Sequence, residues 1–529
     1  MSTASDIASP AADLRARLSD ASWVALGVAV ILCLLLYPLL GAQYLPLTDL
    51  PNHMARHTIM ADVAAGGPLT EYYTTQFVLV PNSAADLLWR LLGYPGDAVA
   101  FSYWVMSFSA ANLLLSTLVL ARVVHGRWTA WSLAAGLMVY NCTFLFGFQN
   151  YSFTLPFAIY AFALYLRLET RALWLRALVF ATIAPVLFLM HFFAFGVLGA
   201  LAFGRELQKL AEDRTWAALA RGAIMGMPFV LPVLWLAYGI LTGPASPAGS
   251  YTDFGTLQDR LNRFLTPIFA LADDDVGPMN AHAVLITLAL YAALATAVLP
   301  RIGLTMARVM WGPVAVMVVV ALAAPVWLSG VAMVDVRFVF VMILIAIAAT
   351  RWPEMAFGRA VLLAAAVLGA TGLRSAQIND WFQMHDQEMR DLMAVMSETV
   401  EPGDRVLPVR APGRFNDERL WHVQGYATAT QKAFMPTLFQ GVHAVQLRLE
   451  WADHATPTMH ANPACAIFQS APPEPGSRTC RKEPYTQGWD TKFNKVLAME
   501  PLPAALVATA PLRLSAQVGR FQIYDVISR

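Results

Sequence analysis

Long uncharged apolar runs dominate this chain, and each is close to the roughly 20 residues that a helix needs to cross a bilayer. The first, WVALGVAVILCLLLYPLLG, begins at Trp23. In lipid a backbone must satisfy its own polar groups, so such runs fold as helices. The chain is 57% hydrophobic and 13% charged, against about 25% charged for an ordinary soluble domain. That balance excludes a large soluble enzyme. A net charge of +1 offers no attraction to nucleic acid or another polyanion.

Window length and flanking charge place about eleven spans. They lie near residues 22–41, 98–120, 128–147, 151–167, 173–190, 192–204, 222–241, 282–300, 309–328, 337–350 and 359–374. The two on either side of His191 are short. The first is too long for a removable signal peptide and lacks a small-residue cleavage site, so it reads as a signal anchor. Arg15 and Arg17 then hold the N-terminus in the cytoplasm. The turns that this threading puts on the cytoplasmic side all carry arginine: Arg122 and Arg127; Arg167, Arg171 and Arg176; Arg205 with Lys209, Arg214 and Arg221; Arg301 and Arg308; Arg351 and Arg359. This is the positive-inside pattern. An odd number of spans leaves the C-terminus outside.

The expected fold is therefore mostly α: a polytopic membrane domain over 1–374, with outer loops 42–97 and 242–281, and a small extracytoplasmic α/β domain over 375–529. In the tail, NDWFQMHDQEMRDLMAVMSETV has helical spacing, and DRVLPVR, FNKVLAM, AALVATA and GRFQIYDVI read as strands. Cys33 and Cys142 fall in apolar spans as small core residues. Cys465 and Cys480 both lie in the tail, where an oxidising compartment would close a short loop contributing about 3 kcal/mol.

No Asp, Glu or Lys stands at the centre of any span, which counts against an ion-driven transporter. The polar chemistry gathers at the outer interface instead. TDLPNHMARH, residues 48–57, is the densest stretch. Pro51 favours a helix start there, with Asp49 or Thr48 as cap. Asp49, His53 and His57 then follow at i, i+4 and i+8 on one face, with Asn52 and Arg56 alongside. A carboxylate so placed can act as general base on a hydroxyl, and a guanidinium suits a phosphate. An N-capping Asp with interfacial histidines explains the same residues. The acid–His–His spacing also fits a divalent cation, although a zinc site needs further ligands that the sequence does not name.

Four other segments carry candidates. GFQNY (147–151) offers Gln149 and Asn150 for sugar hydroxyls, or simply a tight hairpin with interfacial aromatics. LMHFFAFG sets His191 at an outer turn, either in a site or as a capped histidine. VDVRFVF places Asp335 and Arg337 at the outer end of a late span, where Arg337 can meet a lipid phosphate or pair with Asp335. LQDRLNRFLTPIFALADDD contributes Arg260, Arg263 and Asp273–Asp275 and reads as an amphipathic helix on the membrane surface.

Together these parts resemble the GT-C class of integral-membrane glycosyltransferases. The shared features are a first span, an outer loop opening on an Asp-containing motif, many further spans and an outer C-terminal domain. TDLPNHMARH, FGFQNY and LMHFF resemble bacterial members without an assigned substrate. The resemblance implies a polyprenyl-phosphate-linked sugar donor used at the extracytoplasmic face of the inner membrane, and an envelope glycan or glycolipid acceptor. It also implies Asp49 as catalytic base and Arg337 as a ligand of the lipid phosphate. Arg56 would join Arg337 at the phosphate, and His53 and His57 would orient Asp49 or touch the acceptor. Many members carry a second acid beside the first, whereas Leu50 and Pro51 follow here, so no second catalytic partner is named. No cofactor is assigned. A lipid or glycolipid flippase using the same basic groups is the alternative, and an envelope assembly protein a weaker one.

Overall fold

A computed structural model describes residues 10–77, 79–242, 251–270, 277–298, 303–329, 331–352, 357–410, 417–438, 444–456, 460–468 and 483–527. Its principal helices are α1 (Pro10–Gly41), α2 (Leu50–Ala64), α3 (Ala84–Leu91), α4 (Ala98–His125), α5 (Cys142–Leu145), α6 (Gln149–Arg167), α7 (Leu173–Met190), α8 (Phe192–Asp213), α9 (Trp216–Thr242), α10 (Leu257–Leu265), α11 (Gly277–Ala295), α12 (Trp311–Ala323), α13 (Val336–Ala349), α14 (Phe357–Thr399) and α15 (Gly425–Gln431). Among the described residues, six helices are long and apolar enough to cross a membrane, and three shorter apolar ones (Ala130–Leu145, Arg308–Ala323 and Val336–Ala349) accompany them. This is a multi-pass membrane protein.

Three expected spans differ in form. Residues 128–147 do not make a continuous α-helix: a 3₁₀ segment, Ala130–Met138, stops before Asn141 and the chain restarts as α5. Asn141 makes the break, donating to Met138 O and Val139 O (3.1 Å each) while accepting from Phe144 N (3.0 Å). The helix after His191 is longer than expected and runs to Asp213. The span at 359–374 continues through the tail helix as the single 43-residue α14, so the expected division at 374/375 falls inside one helix.

Close packing is set by small residues where helices cross. At the α8–α12 contact a Cβ on Gly204 would lie 2.7 Å from Gly312 O, so only glycine lets the backbones approach this far. One end of the bundle is tied by charge. Arg205 grips Glu169 with both forks (2.8 and 3.0 Å), Lys209 bridges Glu169 and Glu206 (2.9 and 2.8 Å), and Tyr165 donates to Glu206 (2.7 Å).

The opposite end carries the sheet. The strands along the chain are β1 (Tyr73–Thr75), β2 (Thr305–Met306), β3 (Thr350–Arg351), β4 (Val406–Arg410), β5 (Val445–Leu447), β6 (Asn462–Pro463), β7 (Lys495–Ala498), β8 (Leu512–Val518) and β9 (Phe521–Val526), of which β1 with β5 and β2 with β3 form separate two-stranded sheets. Five form one sheet in the order β6-β4-β7-β9-β8. β4 runs parallel to β6 and β7, and β9 is antiparallel to β7 and β8. The expected strand AALVATA is instead a helical turn, Ala504–Val507, that begins after Pro503; proline at the cap and alanines behind it favour helix. Leu512–Val518, which alternates apolar and polar residues, is an edge strand that is not among the expected ones. Cys465 is buried, while Cys480 lies outside the described residues.

The tail is clamped to the first loop. β1 pairs with β5, Arg448 Nε donates to Thr70 O (2.8 Å) and Lys432 pairs with Asp62 (2.8 Å). α15 lies on α2 at a glycine: a Cβ on Gly425 would sit 2.8 Å from the Pro51 carbonyl.

Candidate active site

Asp49 stands at the N-cap position of α2, but its carboxylate makes no capping hydrogen bond and its backbone is already helical (φ −82, ψ −15). Pro51 in the first turn removes one of the donors a cap would serve. The carboxylate faces the tail instead, where Oδ1 lies 3.0 Å from His422 Nδ1. His422 stacks on His460 (ring centroids 5.3 Å apart, planes 10° apart), and His460 packs against Trp421. Burial, with His422 and Arg410 adding to it, holds His460 down at about 3, so it is neutral.

One turn further the same helix makes a closed network. Arg56 Nε donates to Asp86 Oδ1 (3.0 Å), and Arg56 Nη2 meets His53 Nδ1 (3.0 Å). His57 Nε2 reaches the same Asp86 oxygen (3.1 Å) with its Nδ1 near Ser102 Oγ (3.4 Å). Trp89 Nε1 donates to His57 O (2.9 Å). Burial pushes His57 below its ordinary value although Asp86 opposes this. The expected single face is thus divided: Asp49 turns to His422, His53 to Arg56 and His57 to Asp86. The acid–His–His set for a cation does not converge, and among the described residues no three His, Cys, Asp or Glu side chains meet as a metal-binding group. Arg56 is already matched by a carboxylate, so its charge is balanced within the fold.

The hairpin motif lies directly on Asp49. Asp49 N donates to Phe146 O (2.9 Å). Gly147, at φ +86, leaves only 3.0–3.1 Å between a built Cβ and the backbone nitrogens of Leu50 and Asp49. Both the positive φ and the close approach require glycine. Gln149 is fully buried with neither amide atom partnered, and Asn52 is the same. Asn52 also lines a small cavity with Arg56, Tyr73 and Leu447. Asn150 differs: it accepts from Ala85 N (2.8 Å) and donates to Asn82 O (2.7 Å), bracing the first loop against α6. Its amide is occupied by backbone, which removes it from the sugar-binding set. His191 accepts from Phe193 N (3.2 Å) as the cap of α8 and packs on Tyr151.

Arg337 is buried without contacting any carboxylate among the described residues. Nε and Nη2 donate to Met333 O (3.1 Å) and Ala332 O (3.2 Å). Its guanidinium lies between the rings of Phe148 (4.4 Å) and Phe193 (4.6 Å). Asp49 and Asp335 act on it only through space. The Asp335–Arg337 pair expected from sequence does not form, because Arg263 of α10 takes Asp335 at 2.8 Å. α10 is the expected amphipathic helix, closed by a capping box of Thr256 and Asp259. Asp273–Asp275 lie outside the described residues. Sequence reading misses His422 and Asp86. A histidine between Trp421 and Gly425 in a tail otherwise read as strands was the available signal for the first.

No protein-family model and no curated protein matches the chain. Solved structures do. ArnT from Cupriavidus metallidurans in the apo state superposes with a TM-score of 0.52 at 13% identity, over 96% of this chain and 99% of that one. This is the GT-C fold. The ArnT structure bound to undecaprenyl phosphate matches at TM-score 0.49 and 13% identity, over 96% and 98%. The expected architecture of many spans, a first outer loop and a strand-bearing tail is therefore met along nearly the whole chain.

Proposed function

We propose that this protein is a membrane glycosyltransferase. It moves a sugar from a polyprenyl-phosphate-linked donor to a hydroxyl of an envelope glycan or glycolipid, with inversion. The observation that carries this reading is that an uncapped carboxylate, Asp49, acts through space on a buried arginine, Arg337, that contacts no acid among the described residues. Asp49 takes the proton of the acceptor hydroxyl as that oxygen bonds to the anomeric carbon. The bond from that carbon to the phosphate oxygen breaks, and the phosphate leaves with the electron pair. Arg337 stabilises the charge that gathers there, in surroundings that water does not screen. The rings of Phe148 and Phe193 keep the guanidinium in place without neutralising it. The unpartnered amides of Asn52 and Gln149 suit sugar hydroxyls, which donate and accept at once. His191 packs beside Tyr151, whose hydroxyl donates to Arg337 O (2.7 Å).

In this reading the sheet end lies outside the inner membrane and the N-terminus is cytoplasmic, as the basic turns indicate. The test compares envelope glycans by mass spectrometry in cells carrying the wild type, a deletion or Asp49→Asn at matched membrane levels. Loss of one sugar in both mutants is the expected result. A glycan lost in the deletion and kept in Asp49→Asn overturns the base assignment and favours a protein that moves lipid without making bonds.

A further inference from the structure

We propose that His422 is a positioning residue for Asp49, so that the C-terminal region completes the catalytic site. The proposal rests on the reading of Asp49 as base. Three observations support it. The first is that nothing on α2 caps the carboxylate. His422 Nδ1 lies 3.0 Å from Oδ1, an ion-pair contact without hydrogen-bond alignment, and Oδ2 makes no hydrogen bond among the described residues. The imidazole therefore holds the carboxylate from the Oδ1 side and leaves Oδ2 for the acceptor hydroxyl.

The second is that the imidazole is itself immobilised. It is buried and stacked on His460, which packs on Trp421; Trp421 in turn meets Phe146 (6.3 Å), whose carbonyl receives the Asp49 N–H. Base and positioning residue are anchored to the same hairpin through opposite ends of this chain of contacts. The third is chemical. An imidazole orients a carboxylate without the permanent charge of a lysine or arginine, which in contact would hold it ionised and blunt it as a base. The charged and titratable groups around this cluster include Asp49, His460, Arg410, which acts on His460, and Arg337, on which Asp49 acts; His460 itself, held at about 3, adds no cation.

The experiment uses the full-length protein in cells and reads the envelope sugar identified above, as product per enzyme copy at matched membrane levels. The variants are Asp49→Asn, His422→Ala, His422→Asn and His422→Gln. Asparagine can put an amide N–H where Nδ1 stands, whereas glutamine reaches the position of Nε2. His422→Ala is expected to lose on the order of ten- to a hundredfold, the range for a lost polar contact with a charged group. His422→Asn should recover most of this and His422→Gln little. Wild-type output from His422→Ala, or equal loss in the Asn and Gln variants, overturns the positioning role alone. Retained activity in Asp49→Asn overturns the base and this proposal with it.

Discussion

Arg56 and Arg337 are both buried arginines near the start of α2, and they differ in what neutralises them. Arg56 is 4% exposed and bonded to Asp86, itself 2% exposed. Arg337 is 7% exposed and held by two carbonyls and a pair of rings. A buried ion pair without its partner is strongly destabilised, so Arg56 belongs to the fold. A buried cation that no acid balances is costly to the fold and suited to an incoming anion. Position near a motif does not separate the two; the location of the nearest carboxylate does.

Four experiments test that contrast. Arg56→Met takes the guanidinium from the buried Asp86 and leaves His57 beside it, and should lower stability by up to roughly 3–5 kcal/mol, read as a fall in unfolding temperature of purified protein. Arg337→Met strands no acid. It should keep its unfolding temperature while sugar transfer falls on the order of 10²–10³-fold. If the two substitutions exchange these patterns, the assignments exchange too. Gly147→Ala strains a positive-φ position beside Asp49 and should cost more than about 1 kcal/mol, with activity lost at the same membrane level. The last effect is absent at neutral pH. His460 is held at about 3 against an ordinary 6.5, so the unfolded chain binds a proton that the folded one refuses. Its contribution is complete above about 6.5 and is lost as the pH falls from there towards 3. Unfolding temperature measured against pH should therefore drop less steeply in His460→Gln than in the wild type, and equal slopes would remove His460 from the acid response.

Much of the site was legible locally. TDLPNHMARH and GFQNY point to Asp49, Asn52 and Gln149 because a proline, a glycine and clustered polar groups beside apolar runs have few uses. What local pattern could not supply was the partner of each group. His57 and Arg56 read as site residues until Asp86 of α3 claims both, and Asn150 until it braces the loop. Arg337 read equally as half of an ion pair until Arg263 proved to hold Asp335. His422 stays invisible because nothing near it in sequence says that its ring meets Asp49.

The sequence alone determined that this chain enters the membrane, how its helices are spaced and at which end the polar chemistry gathers. Those properties follow from hydrophobicity and backbone hydrogen bonding, which act over one helix length. The tertiary structure decided that the Asp49 carboxylate was left uncapped, that Arg337 contacts no acid among the described residues and that the tail closes over the first loop. Those are matters of distance between segments far apart in the chain, and charge balance in a buried site depends on distance.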